Sequence, residues 1–255
     1  MKRIKQIIIL LCGIVFFYCN ANAQISAQLV GKKFQVVCSS KTTATISQNG
    51  NATEVPMSTG LYVTYEIKSV AGKTVQLSVM LDRIKSSTYD SDDSAVTASY
   101  PQLADRLNLH KVQDFTVEVG KMPDMDMANI ELQNLYNVLS PNALFNPFDK
   151  SATEGSKFSD STKSESGLKS ITDYVVSKIN DSEITVIATT NTNISKTNEE
   201  IKMNTQAKSV STRIYDASSG LLKTATTDAD TSSKQKISGV SISGKIKSTS
   251  TTTVQ

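Results

Sequence analysis

The strongest constraint on the fold of this chain is a period-two alternation of apolar and polar residues between Leu61 and Ile84. Leu61, Val63, Tyr65 and Ile67 are interleaved with Tyr62, Thr64, Glu66 and Lys68. After Ala71-Gly72-Lys73 the rhythm resumes with Val75, Leu77, Val79 and Leu81. Successive side chains of an extended strand point to opposite faces, so each run has one apolar and one mainly polar face. A short connection carrying glycine makes the two runs an antiparallel hairpin.

Similar patterns recur along the chain. A first strand from Phe34 to Ile46 puts Phe34, Val36, Cys38, Thr42, Ala44 and Ile46 on one face and ends in the turn Gln48-Asn49-Gly50-Asn51. Pro56 cannot donate to a sheet ladder and predicts an edge or a bulge before the Leu61 strand. Phe115, Val117 and Val119 form a short strand before Gly120. Leu168 to Ile179 and Glu183 to Thr190 read as a second hairpin turning through Asn180-Asp181. The runs Met203 to Tyr215, Leu221 to Asp228 and Lys236 to Thr253 are rich in Thr and Ser. They complete an antiparallel sheet, with Asp216 to Leu221 as the turn between the first two.

Helical spacing occurs twice. Gln102 to Leu109 places Leu103, Ala104 and Leu107 inward, and Ala128 to Ser140 carries Ile130, Leu135, Val138 and Leu139, widened by Leu132 and Tyr136. The predicted fold is mainly β: a strongly curved antiparallel sheet or half-open barrel with one or two short helices on its concave side. Residues 24–255 form one domain, with a flexible polar loop at about 142–167, in whose Ser151–Ser166 stretch only Phe158 breaks the run of small and charged residues.

Met1 to Ala23 has the layout of a secretion signal. Lys2, Arg3 and Lys5 precede an apolar stretch from Ile7 to Cys19, and Ala21-Asn22-Ala23 offers small residues for cleavage after Ala23. The apolar stretch falls short of the roughly 20 residues of a spanning helix. Lipidation at Cys19 is the alternative to that cleavage, although Phe16-Phe17-Tyr18 stand where small residues are required.

Removal of this leader neutralises the chain. Three of the 27 Lys and Arg residues leave with it, so 24 cations face 24 Asp and Glu. The basic excess of the full chain therefore gives no ground for expecting nucleic acid or an anionic membrane as partner, and at most a peripheral association with membranes is expected. Of three cysteines only Cys38 remains. An internal disulfide is thereby excluded, and Cys38, alternating with Phe34 and Val36, reads as a small buried hydrophobe.

The chemistry-bearing motifs are incomplete. Asp90, Asp92 and Ser94 take the first, third and fifth positions of a calcium loop, but Ala95 replaces the glycine and Pro101 the bidentate glutamate, which favours a solvated acidic turn. Gly239 to Lys245 matches most of a phosphate-binding loop, yet Ile246 replaces the magnesium-binding hydroxyl and no helix follows. In a nucleophile elbow, Ser243 would stand where glycine is needed. His110, the single histidine, lacks recognisable companions, and Met122 to Met127 is poor in the soft ligands of a copper site. No enzyme, cofactor or metal is expected. Asp93-Ser94-Ala95 fits the acceptor pattern of an envelope O-glycosylation system, with Ser94 as the modified residue.

Three short motifs carry a resemblance. Tyr89-Asp90-Ser91-Asp92-Asp93, Glu154-Gly155-Ser156-Lys157-Phe158 and Asp216 with Gly220-Leu221 occur in an order that resembles a family of exported Gram-negative envelope proteins defined as a domain of unknown function. Phe158 stands where that family usually has Trp. The resemblance implies a periplasmic or cell-surface location and transfers no functional residue. More loosely, the architecture is similar to the half-barrels of envelope lipoprotein carriers.

The functional expectation is a binding module for a lipid or other apolar ligand. Its cavity would be lined by Leu61, Val63, Tyr65, Leu77, Val79 and Leu81 of the hairpin and by Ile130, Leu135 and Leu139 of the second helix. The alternative is an envelope structural or interaction module with no small ligand. An outer-membrane barrel fits less well, because the strands lack aromatic girdles and the sequence closes on Thr253-Val254-Gln255.

Overall fold

The computed structural model describes residues 25–48, 51–86, 89–93, 109–119, 141–149, 151–163, 168–197, 201–237 and 240–255. Its strands are β1 (Lys33–Gln48), β2 (Asn51–Ala71), β3 (Thr74–Ser86), β4 (Val112–Glu118), β5 (Lys157–Lys163), β6 (Leu168–Ile179), β7 (Glu183–Thr197), β8 (Ile201–Asp216), β9 (Leu222–Ile237) and β10 (Val240–Val254). They form one ten-stranded sheet in the order β4-β3-β2-β1-β10-β9-β8-β7-β6-β5. Every neighbouring pair is antiparallel.

The topology is two meanders sewn together by the first and last strands. Val36 on β1 pairs with Val63 on β2 and with Val254 on β10. The outer strands β4 and β5 are separated by the full width of the sheet, which is therefore open. Several strands are much longer than the usual 3–10 residues: β2 has 21 and β1 and β9 have 16 each.

The Leu61–Ile84 hairpin forms as expected. Ala71 pairs with Thr74 across a two-residue turn in which Gly72 has φ 62°, a conformation that costs glycine little. Val63, Tyr65, Ile67, Val75, Leu77, Val79 and Leu81 are buried on the inner face. The expected edge at Pro56 is also present among the described residues, where β3 pairs with β2 only from Thr59 onward. The predicted hairpin through Asn180 holds too, with the Asn180 side chain accepting from the backbone N–H groups of Ser182 and Glu183 at 3.0 and 2.8 Å.

Bulges bend the sheet. The register skips Asp82 and Lys68 between β2 and β3, Ser177 between β6 and β7, and Lys223 between β8 and β9. An unpaired extra residue bends its strand and increases local twist. The 3₁₀ turn Pro141–Leu144 shows how far the bending goes, because it lies against β4 while the Tyr215 hydroxyl of β8 donates to the carbonyl oxygen of Ala143 at 3.2 Å. In a flat sheet β4 and β8 would stand about 29 Å apart at ~4.8 Å per strand. A four-residue 3₁₀ turn is only about 8 Å long.

The described part of 142–167, residues 142–149 and 151–163, differs from the flexible polar loop predicted there. Leu144, Phe145, Asn146, Pro147 and Phe148 are buried, and Lys157–Lys163 is the edge strand β5. Phe145 bridges to Leu221, and the backbone N–H of Asn146 donates to the Gly220 carbonyl oxygen at 2.7 Å. Phe158 stacks on Tyr174 at 4.5 Å between ring centroids and meets Phe148 edge-on at 4.8 Å. A few aromatic contacts thus anchor a segment whose composition alone reads as solvated. Strand β9 also runs on to Ile237, past the predicted end at Asp228.

The only helices among the described residues are the 3₁₀ turns Ala27–Leu29 and Pro141–Leu144. The predicted helix Ala128–Ser140 and all but the last residue of Gln102–Leu109 lie outside the described residues.

Candidate functional site

The inner face is apolar at one end of the strands and hydroxyl-lined beyond it. At the apolar end Phe34, Tyr65, Ile67, Leu77, Val176, Val186, Tyr215 and Leu222 form a single cluster with Leu144, Phe145 and Phe148. Phe34 and Tyr65 stack with ring centroids 5.7 Å apart. Burial pushes the Tyr65 phenol well above its ordinary pKa, so it stays neutral.

Five of the predicted lining residues, Val63, Tyr65, Leu77, Val79 and Leu81, are buried in this cluster, and Leu61 is half-buried against it. Ile130, Leu135 and Leu139 lie outside the described residues, as do Ser94 and Met122 to Met127. The structure therefore brings the six hairpin residues together on one face.

A register row marks the seam. Val176, Val186, Arg213, Ala225, Thr252, Cys38, Leu61 and Ile84 follow one another across seven ladders. Arg213 is 3% exposed. Its Nε donates to the Ser211 hydroxyl at 3.4 Å, one terminal nitrogen donates to the Tyr215 hydroxyl at 3.5 Å, and its guanidinium lies 5.8 Å from the Tyr174 ring centroid. In the same row Cys38 is half-buried, and burial pushes its thiol pKa up, which keeps it protonated and unreactive.

Beyond the seam the buried side chains of β6 to β9 are almost all hydroxyls. Cross-strand pairs join Thr172 to Thr190 at 3.0 Å, Ser170 to Thr192 at 2.9 Å, Thr205 to Ser233 at 2.9 Å and Thr227 to Ser211 at 2.9 Å. Ser209 is 1% exposed and its hydroxyl has no hydrogen-bond partner among the described residues. Its row continues through Thr190 and Thr172 to Asp160 on the edge strand, where burial raises the carboxyl pKa.

Sequence reasoning missed this half of the inner face. The available signal was phase: Thr190 and Thr192 continue the alternation of Val186 and Ala188, and Ser209, Ser211 and Arg213 continue that of Tyr215. Apolar residues alone mark the alternation there, and hydroxyls in the same phase do not stand out from those on the opposite face.

The other motifs have structural occupations. Arg83 makes two hydrogen bonds to Asp90, at 3.1 and 2.7 Å, and reaches Asp92 at 2.9 Å. That guanidinium holds the Asp90 carboxyl below its ordinary pKa. His110 is exposed and in the left-handed region at φ 59°, with its backbone N–H on the Leu81 carbonyl oxygen. Gly244 lies inside β10 and pairs with Ile46 and Ser233, the geometry of a strand.

Two troughs cross the outer face, one of about 730 Å³ bordered by Lys41, Asp228, Asp230 and Lys247, and one of about 560 Å³ beside it. A third depression of about 430 Å³ lies between Leu29, Phe34 and the Asp216 turn. None of the six hairpin residues lines any of the three.

No protein-family model and no curated protein matches the chain. Among solved structures it is similar to lipovitellin in a study of lipid–protein interactions, with TM-score 0.50, 12% identity and 89% of this chain covered. The match covers 25% of lipovitellin, so the chain spans about a quarter of that protein's length. A porin mutant of Rh. blastica aligns over 88% of this chain at 8% identity, but its TM-score of 0.23 carries no structural argument. The likeness to lipovitellin is one of fold alone.

Proposed function

We propose that this chain is an exported, non-catalytic module that binds a lipid or another apolar ligand on the inner face of its open sheet. The observation that carries the reading is the single apolar cluster at one end of the inner face of a curved, open sheet. A fold shared with lipovitellin, a protein studied for its lipid–protein interactions, supports it. The test is an organic extract of protein purified without added lipid, analysed by mass spectrometry. A stoichiometric lipid species supports the reading, and an extract matching a blank preparation counts against it.

One observation favours an interaction module without a small ligand. Leu144, Phe145 and Phe148 already pack on the apolar end and cover part of it with the chain's own side chains. On that reading the extract is clean, and crosslinking recovers a protein partner instead.

A further inference from the structure

We propose that the hydroxyl-lined half of the inner face, centred on Ser209, holds the anionic head group of an amphiphile, a carboxylate or a phosphate. The inference rests on the reading above, that the inner face takes an apolar ligand, and adds the end of the ligand that would lie beyond the apolar cluster.

Counting donors identifies the chemistry. Ser209 is buried, and its hydroxyl makes no hydrogen bond among the described residues. Across the ladder on one side stands Thr190, which shares a single 3.0 Å hydrogen bond with Thr172, so this pair uses one of its two O–H protons. Two residues along β8, the Ser211 oxygen accepts from Thr227 at 2.9 Å and from Arg213 at 3.4 Å, and neither bond uses the proton of Ser211. A buried hydroxyl left without a partner costs free energy. Three neighbouring positions on this face therefore carry hydroxyl protons that the hydrogen bonds named above do not use, and a group that satisfies them is rich in acceptors. Ionised carboxylate and phosphate oxygens are acceptors of that kind.

Side-chain size and charge agree with this assignment. Ala207 follows Ser209 on the inner face of β8, and Ala229 faces Ser209 from β9, so both flanks present only a methyl group. Arg213, a permanent cation, stands on the same face beyond Ser211 and complements a negative head group. Asp160, the carboxylate of this row, is three strands away at the sheet edge, about 14 Å at ~4.8 Å per strand. From Ser209 to Tyr215 along β8 is about 20 Å at ~3.3 Å per residue, the length an acyl chain on this face would span to reach the apolar cluster.

Calorimetric titration of the full chain with dodecanoate, dodecyl phosphate and neutral methyl dodecanoate tests the assignment. One or both anions bind at least about tenfold tighter than the ester, the tighter of the two naming the head group. Ser209→Ala weakens that anion about tenfold and leaves the ester unchanged, as expected for a charge-assisted hydrogen bond. This variant removes a hydroxyl that bonds to no described residue, so the fold tolerates it. Arg213→Gln weakens the anions in the same direction. If the ester binds as tightly as the anions and Ser209→Ala changes nothing, the head-group site is overturned while the apolar-ligand reading stands. If none of the three probes binds, both fall.

Discussion

The Tyr215 hydroxyl, at the end of β8, donates to the carbonyl oxygen of Ala143 at 3.2 Å across 72 residues of chain. This bond ties the segment before β5 to the hollow of the sheet and fixes where Leu144 and Phe145 enter the core. Tyr215→Phe removes it and leaves a half-buried carbonyl oxygen short of a donor. A loss of about 1–2 kcal/mol is expected, read as a lower urea midpoint with an unchanged slope.

The apolar cluster joins both meanders, since Leu77 and Val117 from one side share it with Val186 and Leu222 from the other. Leu77→Ala empties a fully buried position and is expected to cost about 2–5 kcal/mol. Because the core is shared, unfolding followed by far-ultraviolet circular dichroism and by tyrosine fluorescence shifts together. Two separated transitions would mean that the meanders are independent units.

Acid stability has a specific source in the turn from Asp216 to Leu221. One carboxylate oxygen of Asp216 accepts from the backbone N–H and hydroxyl groups of both Ser218 and Ser219, at 2.6 to 3.1 Å. The Ser218 hydroxyl is the largest cause of a carboxyl pKa lowered from 3.8 to about 2. The folded value lies below the unfolded one, so the stabilisation is complete above about pH 4 and is lost as pH falls towards 2. Asp216→Ala therefore unfolds earlier than the parent in urea at pH 6, and the two midpoints converge near pH 2.

In the acidic turn, the carboxylates of Asp90 and Asp92 are engaged by Arg83, whose guanidinium also lies 5.6 Å from the Tyr62 ring centroid. Millimolar calcium is expected to leave the melting temperature unchanged. Arg83→Gln lowers it slightly in dilute buffer and less in 0.5 M salt (~0.5 M is ample to screen exposed pairs). A calcium-dependent rise in the parent protein would contradict this arrangement.

The sequence was most legible where burial and apolar character coincide. Leu61 to Leu81 alternates in residues that are hydrophobic on any scale, and both strands and their turn follow from it. Strand β5 was hidden because its inner face carries Phe158 and Asp160, and its pairing depends on β6 beside it. The far half of β9 was hidden because its buried inward residues, Thr231 and Ser233, are hydroxyls without apolar character, set among Asp230, Ser232, Lys234 and Lys236 on the outer face. Buried hydroxyls are stabilised by partners on neighbouring strands, and those partners follow from register, which one strand's sequence does not contain. The six hairpin residues of the candidate site were legible for the same reason as the hairpin. Arg213 was not, because a lone arginine in a Thr-rich run has the pattern of a surface residue until its phase with Tyr215 is noticed.

The central claim is that the inner face carries an amphiphile, and native mass spectrometry of the protein purified without detergent or added lipid tests it most directly. The account predicts a population heavier than the polypeptide by one lipid, released on collisional activation and reduced in Ser209→Ala. A single species at the mass of the polypeptide, unchanged after incubation with dodecanoate or dodecyl phosphate, would contradict it.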